Sequence, residues 1–247
     1  MSREKQIWEG LAEKDAYFAV STYDEFRGSN IDAAAKEKFF ASGREHVEMM
    51  WHEFEEKLGS IPKPTRSLDY GCGVGRILIP LAERSEQVTG VDISPKMLVE
   101  AGENLAAAGY GAFRLITDEE FDADTATYDF VHTFIVIQHI KPELGLSVIR
   151  KMVDRLEEGG CGMIHFTHTD PSPFFQRMRS TLYRDVPGAF GVRNLLRGTN
   201  EKHMPMHLYD RESVYAVMDT SGCRRLSASQ TDHGFLGEMV YFRKAAK

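Results

Sequence analysis

Four residues set the chemistry of this chain: Asp69, Gly71, Gly73 and Gly75, in the run Leu68-Asp69-Tyr70-Gly71-Cys72-Gly73-Val74-Gly75-Arg76. Glycine at every second position is costly unless the backbone must turn sharply or approach something closely. An apolar run precedes it and a helix-like segment, Arg76 to Arg84, follows. That pattern predicts a strand-to-helix turn cradling a nucleotide-like ligand. A dinucleotide site would read Gly-x-Gly-x-x-Gly; here the third glycine comes one residue early and Arg76 stands in its place. The Asp69 carboxylate ahead of the turn repels a pyrophosphate and suits a ligand with a positive end. Cys72 reads as a small residue that fits the turn rather than a reactive thiol.

With this turn the sequence resembles the class I S-adenosylmethionine (SAM) dependent methyltransferases, whose first motif is Asp-x-Gly-x-Gly-x-Gly. Val88-Thr89-Gly90-Val91-Asp92-Ile93-Ser94 looks like the family's second strand with its ribose-binding acid. Tyr128-Asp129-Phe130-Val131-His132-Thr133-Phe134 looks like its fourth strand. The resemblance covers roughly residues 40–168 well and the C-terminal part loosely.

The resemblance implies SAM as cofactor, S-adenosylhomocysteine (SAH) as product, and roles for particular residues. Asp69 would meet the ligand's positive end, with the turn residues Gly71, Cys72, Gly73 and Gly75 against the methionyl and ribose parts. Asp92 would accept both ribose hydroxyls; the alternative is an acid favoured by the start of the next helix. Ile93 and Met97 would wall the adenine, or simply pack in the core. Asp118, first of Asp118-Glu119-Glu120, would accept from the adenine amino group, or belong to a solvated acidic loop. Phe134 would contact the methionyl part through backbone or side chain. Arg44 resembles an arginine that some small-molecule methyltransferases send to the SAM carboxylate; otherwise it pairs with a Glu of its own helix.

Methyl transfer is a direct displacement, so alignment and a desolvated pocket supply most of the catalysis. A hydroxyl acceptor must also lose a proton. His139, in Gln138-His139-Ile140 just past the fourth strand, is the best-placed base, with packing as its alternative role. An unperturbed histidine would give the rate a limb near pH 6–7. No metal site is expected: His165 and His168 are three apart on a strand, and Pro205 breaks any helix between His203 and His207.

Around these residues the pattern predicts elements that position them. Apolar spacing puts helices at residues 1–64, the longer from about Asp32 to Leu58, as a cap over the site. Gly43-Arg44 interrupts that helix and would mark a close approach to ligand. Strands are predicted at 66–70, 87–92, 112–117, 128–134 and 160–168, with helices at 75–84, 95–108 and 142–157. Gly159-Gly160 would end the last of these. A helix near 211–220 precedes strands near 223–231 and 235–243, joined by the tight Asp232-His233-Gly234. The fold class is therefore α/β: a Rossmann-like, doubly wound seven-stranded sheet with an antiparallel C-terminal strand and an N-terminal helical cap. Residues 1–64 form the cap and 65–247 the SAM-binding domain. The segment 170–206 is read as an inserted lid; its six Lys and Arg against three Asp and Glu suit an anionic acceptor. Tyr17, Tyr23, Tyr183 and Tyr209 are candidates to line the acceptor pocket.

The formal charge of −7 disfavours nucleic acid as a partner. No apolar run reaches a membrane span, the N-terminus carries no signal-peptide pattern, and three scattered cysteines fit a reducing cytoplasm. Small-molecule methyl transfer to oxygen or nitrogen is the first reading. A nucleotide-cofactor oxidoreductase is opposed by the glycine spacing. A non-catalytic SAM-binding protein would tolerate loss of Asp69 or Asp92, and both are present.

Overall fold

The computed structural model describes residues 3–28, 31–61, 63–173, 178, 181–183, 186 and 204–246. Among these run α1 (Arg3–Val20), α2 (Ala33–Leu58), β1 (Arg66–Tyr70), α3 (Leu78–Arg84), β2 (Gln87–Asp92), α4 (Pro95–Ala107) and β3 (Phe113–Thr117). There follow α5 (Asp118–Ala123), β4 (Tyr128–Thr133), α6 (Pro142–Asp154), β5 (Leu156–Thr169), α7 (Arg211–Thr220), β6 (Cys223–Asp232) and β7 (Leu236–Lys244). The strands form one sheet in the order β3-β2-β1-β4-β5-β7-β6. β1 to β5 are parallel, and β7 runs antiparallel to both of its neighbours. This is the seven-stranded doubly wound arrangement expected. The winding reverses between β1 and β4, and in such sheets the carboxyl ends of the strands open a crevice at that point.

Local chemistry sets the element ends. Asp32 caps α2 by accepting from Ala35 N at 2.7 Å, and Gly59, at φ 78°, ends it. Ser94 caps α4 ahead of Pro95, whose fixed φ suits the first helical position. Thr117 and Glu120 form a reciprocal capping box that opens α5, a helix no periodicity predicts because only Phe121 of it is buried. Two expectations need correction. Gly159 and Gly160 lie inside β5, because α6 already ends at Asp154. α2 is continuous through Gly43: a side chain there would fall 2.0 Å from the Arg76 carbonyl oxygen. The close approach is to the chain's own backbone.

One face of the sheet is covered by α5, α6 and α7, around Phe121, Ile149, Met152 and Val214. The other is covered by α2, α3 and α4. Val47, Met50, Trp51 and Phe54 of α2 pack with Phe130 and Tyr241 of the sheet. Burial contributes about 1.5–3 kcal/mol for each such side chain, so α2 is a layer of the core. α1, kinked at Asp15, joins through a third cluster holding Tyr17, Phe26, Phe39, Val74 and Met97. It thereby lies against the turn that follows β1.

Candidate active site

The turn after β1 is tied to β2. Gly71 N and Cys72 N both donate to the Val91 carbonyl, at 2.7 and 3.0 Å. Gly71, Gly73 and Gly75 all take positive φ, at 80°, 53° and 92°. A side chain at Gly71 would also meet Val136 at 2.2 Å, and one at Gly73 would meet Val20 at 2.5 Å. Glycine is thus required here both by conformation and by space. Cys72 is buried in the turn, and burial beside Asp92 and Asp69 pushes its thiol well up, so it is no nucleophile.

Asp92 closes the turn from the other side. Its Oδ2 accepts from Gly73 N and its Oδ1 from Ser94 N, both at 2.9 Å. A carboxylate has about four acceptor positions, so two remain for ligand hydroxyls. Burial pushes its carboxyl up to about 6, against the opposing pull of the two backbone bonds.

Asp69 ends β1 and is 3% exposed. Parallel register pairs it with His132 of β4, whose Nδ1 donates to its Oδ1 at 2.8 Å. His132 Nε2 in turn lies 3.1 Å from Nε2 of His46 on α2. The second carboxylate oxygen, Asp69 Oδ2, is buried with no partner among the described residues. Asp118 shows the same feature: its Oδ1 is buried and unpartnered, and burial raises its proton affinity. Its neighbours are spent elsewhere, Glu119 on Lys5 and Glu120 on the capping box. Two bare acceptors at the ends of β1 and β3 fit a ligand carrying an amine at each end, as SAM does. The glycine turn lies between them.

Beyond β4 the chain tightens. Ile135 has φ 59°, a strained value for a β-branched residue, and its N–H donates to His165 Nδ1 at 3.3 Å. A short 3-10 turn, Ile137–His139, follows. His139 Nδ1 donates to the Pro205 carbonyl at 3.0 Å, and its Nε2 accepts a long 3.4 Å bond from the Gln138 amide. Burial lowers its proton affinity, to a pKa of about 4, against the raising pull of Pro205. The ring is neutral at pH 7, with its acceptor nitrogen toward Gln138 and the Trp8 ring of α1 at 5.2 Å. Gln138 Oε1 and Thr133 Oγ1 nearby are buried with no partner among the described residues.

Other predicted residues fall as follows. Phe134 is ringed by His46 at 4.2 Å, His165 at 5.1 Å and His233 at 5.7 Å, so its side chain is occupied by protein. Met97 packs in the cluster shared with α1, and Ile93 is partly exposed beside Asp92. Arg44 is partly buried on α2 and makes no ion pair with a Glu of its helix. Tyr17 and Tyr209 are not pocket walls. The Tyr17 hydroxyl bonds Glu100 at 2.6 Å and Asn104 at 3.1 Å, fastening α1 to α4. The Tyr209 hydroxyl is shared by the Ile137 and Ile140 carbonyls at 2.9 and 2.7 Å, and so holds the turn that carries His139. Tyr23 is exposed. Most of the predicted 170–206 lid, with all six of its Lys and Arg, lies outside the described residues. Among the described residues no group of three His, Cys, Asp or Glu is arranged for a metal, and no helix is long and apolar enough to cross a membrane.

Sequence reasoning missed His46, His132 and Arg76. The Arg76 guanidinium is largely buried, 6.0 Å over Phe134, with Nη1 on Ser42 Oγ at 3.3 Å and Nε without a partner among the described residues. A signal existed for His132: it occupies the strand position that register places beside a motif carboxylate. None existed for His46, which a 26-residue helix brings from outside the motif region.

Residues 68–160 match the family profile described as a methyltransferase domain. The chain is 30% identical over 149 residues to the ubiquinone biosynthesis O-methyltransferase of Nitrosomonas europaea, covering 60% of this chain and 59% of that one. It is 27% identical over 198 residues to the enzyme of the same name from Bordetella pertussis, covering 73% and 77%. The match to the Nitrosomonas protein thus spans less than two thirds of its length. Among solved structures, the magnesium protoporphyrin IX methyltransferase of Synechocystis PCC 6803 with bound SAM superposes with a TM-score of 0.60 at 16% identity, covering 99% of both chains. The N-methyltransferase NodS of Bradyrhizobium japonicum WM9 with SAH gives 0.61 at 13% identity, covering 98% of this chain and 99% of that one. At such identities the superpositions speak for the fold alone. Residues 68–160 thus carry a methyltransferase domain, on a sheet with the fold of these SAM-dependent enzymes.

Proposed function

We propose that this protein transfers a methyl group from SAM to a hydroxyl oxygen of a small-molecule acceptor. The observation that carries the donor half is the pair of buried, unpartnered oxygens, Asp69 Oδ2 and Asp118 Oδ1, flanking the glycine turn. Asp69 would take the methionyl amine, Asp118 the adenine amine and Asp92 the ribose hydroxyls, with Gly71, Cys72, Gly73 and Gly75 as the backbone cradle. Ile93 would be the apolar wall. Arg44 would serve the carboxylate, or Arg76, whose buried Nε is free for one. SAM, when bound, supplies an electrophilic methyl group on sulfur.

His139 would take the acceptor's proton. Its Nδ1–H bond to Pro205 fixes the tautomer that leaves Nε2 a lone pair, and the acceptor hydroxyl would displace the long Gln138 contact. The choice of oxygen is supported by this neutral base and by the relatives named as O-methyltransferases. α1, which brings Trp8 to His139, would act with the 170–206 segment as a lid that excludes water. An anionic acceptor is favoured by the basic residues of that segment. The free, buried thiols of Cys72, Cys161 and Cys223 favour a reducing cytoplasm. A panel of hydroxylated small molecules, followed by SAH release, tests this reading. Turnover with a hydroxyl acceptor supports it. A protein that binds neither SAM nor SAH overturns it.

A further inference from the structure

We infer that His132 and His46 are positioning residues for Asp69, forming a buried relay that presents its Oδ2 to the amine of the ligand's amino-acid end. The inference rests on the methyltransferase reading above. Asp69 is an acceptor only, so His132 Nδ1 carries the proton of the 2.8 Å bond. In a neutral His132, Nε2 is then bare, and the proton between the two imidazoles belongs to His46. That order, His46 to His132 to Asp69, needs no charge on either ring. The crowding of His46 by burial and by His132, Arg76, His165 and His233 holds its proton affinity down in agreement.

The relay decides what the carboxylate does. A buried anion with one oxygen bare is expensive unless a cation is to complete it. Arg76 is close enough for Asp69 to favour its charge, yet the two make no ion pair. The bond to His132 holds Asp69 away from that pairing and keeps Oδ2 bare. His46 is fixed from behind, its ring against Phe134 at 4.2 Å on a helix buried along the sheet. The last link is therefore anchored in the core.

Binding of three ligands tests this without turnover: SAH, its decarboxylated analogue, and 5′-methylthioadenosine. The analogue keeps the amine and lacks the carboxylate; methylthioadenosine lacks both. His132→Leu should weaken SAH and the analogue by ~10–100-fold and leave methylthioadenosine unchanged, since a hydrogen bond to a charged group is worth about 1.5–3 kcal/mol. His132→Asn places an amide N–H where Nδ1–H stood and should restore most of the loss. If His132→Leu does not fold, His46→Phe, which keeps the ring on Phe134, should lower the SAH to methylthioadenosine affinity ratio. Equal weakening of all three ligands, or none, in folded variants overturns the inference while leaving the methyltransferase reading intact. A wild-type protein that binds none of them overturns both.

Discussion

At the ends of β1, β2 and β3 the site is built from carboxylates; at the ends of β4 and β5 it is built from imidazoles. Burial acts on both, with different consequences. Asp69 and Asp118 each keep a buried oxygen with no partner among the described residues, and Asp92 holds its proton up to about 6. The histidines are satisfied by protein: His139 by Pro205 and Gln138, His165 by Ile135 and Thr231. The donor half is incomplete until a ligand arrives. The ring nitrogens of His139 and His165 are already paired, so on the proposed reading His139 would exchange a protein contact for a substrate one. Pre-organisation is therefore expected to be greater for cofactor than for acceptor.

The largest effect should come from the acceptor half. His139→Ala should lower turnover by ~10²–10⁴ with SAH affinity little changed. The structure also moves the expected pH limb: with His139 lowered to about 4, the rate should fall only as pH drops toward 4, not at 6–7. A variant that loses thermal stability and activity together, with an unaltered pH profile, would make His139 a packing residue. Next is the donor half. Asp92→Ala should weaken SAH by about 2–3 kcal/mol while the fold persists. Asp92→Asn should raise the ligand-free melting temperature at pH 7, because it removes a carboxylate whose ionisation burial opposes; an unchanged or lower value would show that the Gly73 and Ser94 bonds outweigh that cost.

The comparison also has a sign in pH. His46, His139 and His165 hold fewer protons folded than unfolded, with His139 near 4 and His165 near 3 against an ordinary value of about 6.5. Stability should thus be full above about pH 6.5 and fall as pH drops through 4. Melting at pH 7 and pH 5 checks this; equal values would mean the imidazoles are not buried as described. The smallest effect is Tyr17→Phe, which removes the bonds from α1 to Glu100 and Asn104 and should cost about 1 kcal/mol by chemical denaturation.

The strands were readable because parallel, buried strands are short apolar runs bounded by turn residues; β1 and β2 fall at 66–70 and 87–92 as predicted. The carboxylates were readable because they lie within a residue or two of those strand ends. What the sequence hid was long-range. Gly43 looked like a ligand approach and is room for the Arg76 carbonyl, a contact across 33 residues. Tyr17 and Tyr209 looked like pocket walls and are fasteners, because hydroxyl partners are set by tertiary packing. His132 was in view on its strand, but its role needed the β1–β4 register and a helix from elsewhere in the chain.

The central claim is that the carboxylate half is a donor site for SAM. Calorimetric titration of the pure protein with SAH and, separately, with NAD tests it most directly. Micromolar-class binding of SAH without saturable binding of NAD is the expected result. Saturable NAD binding with no response to SAM or SAH would contradict it.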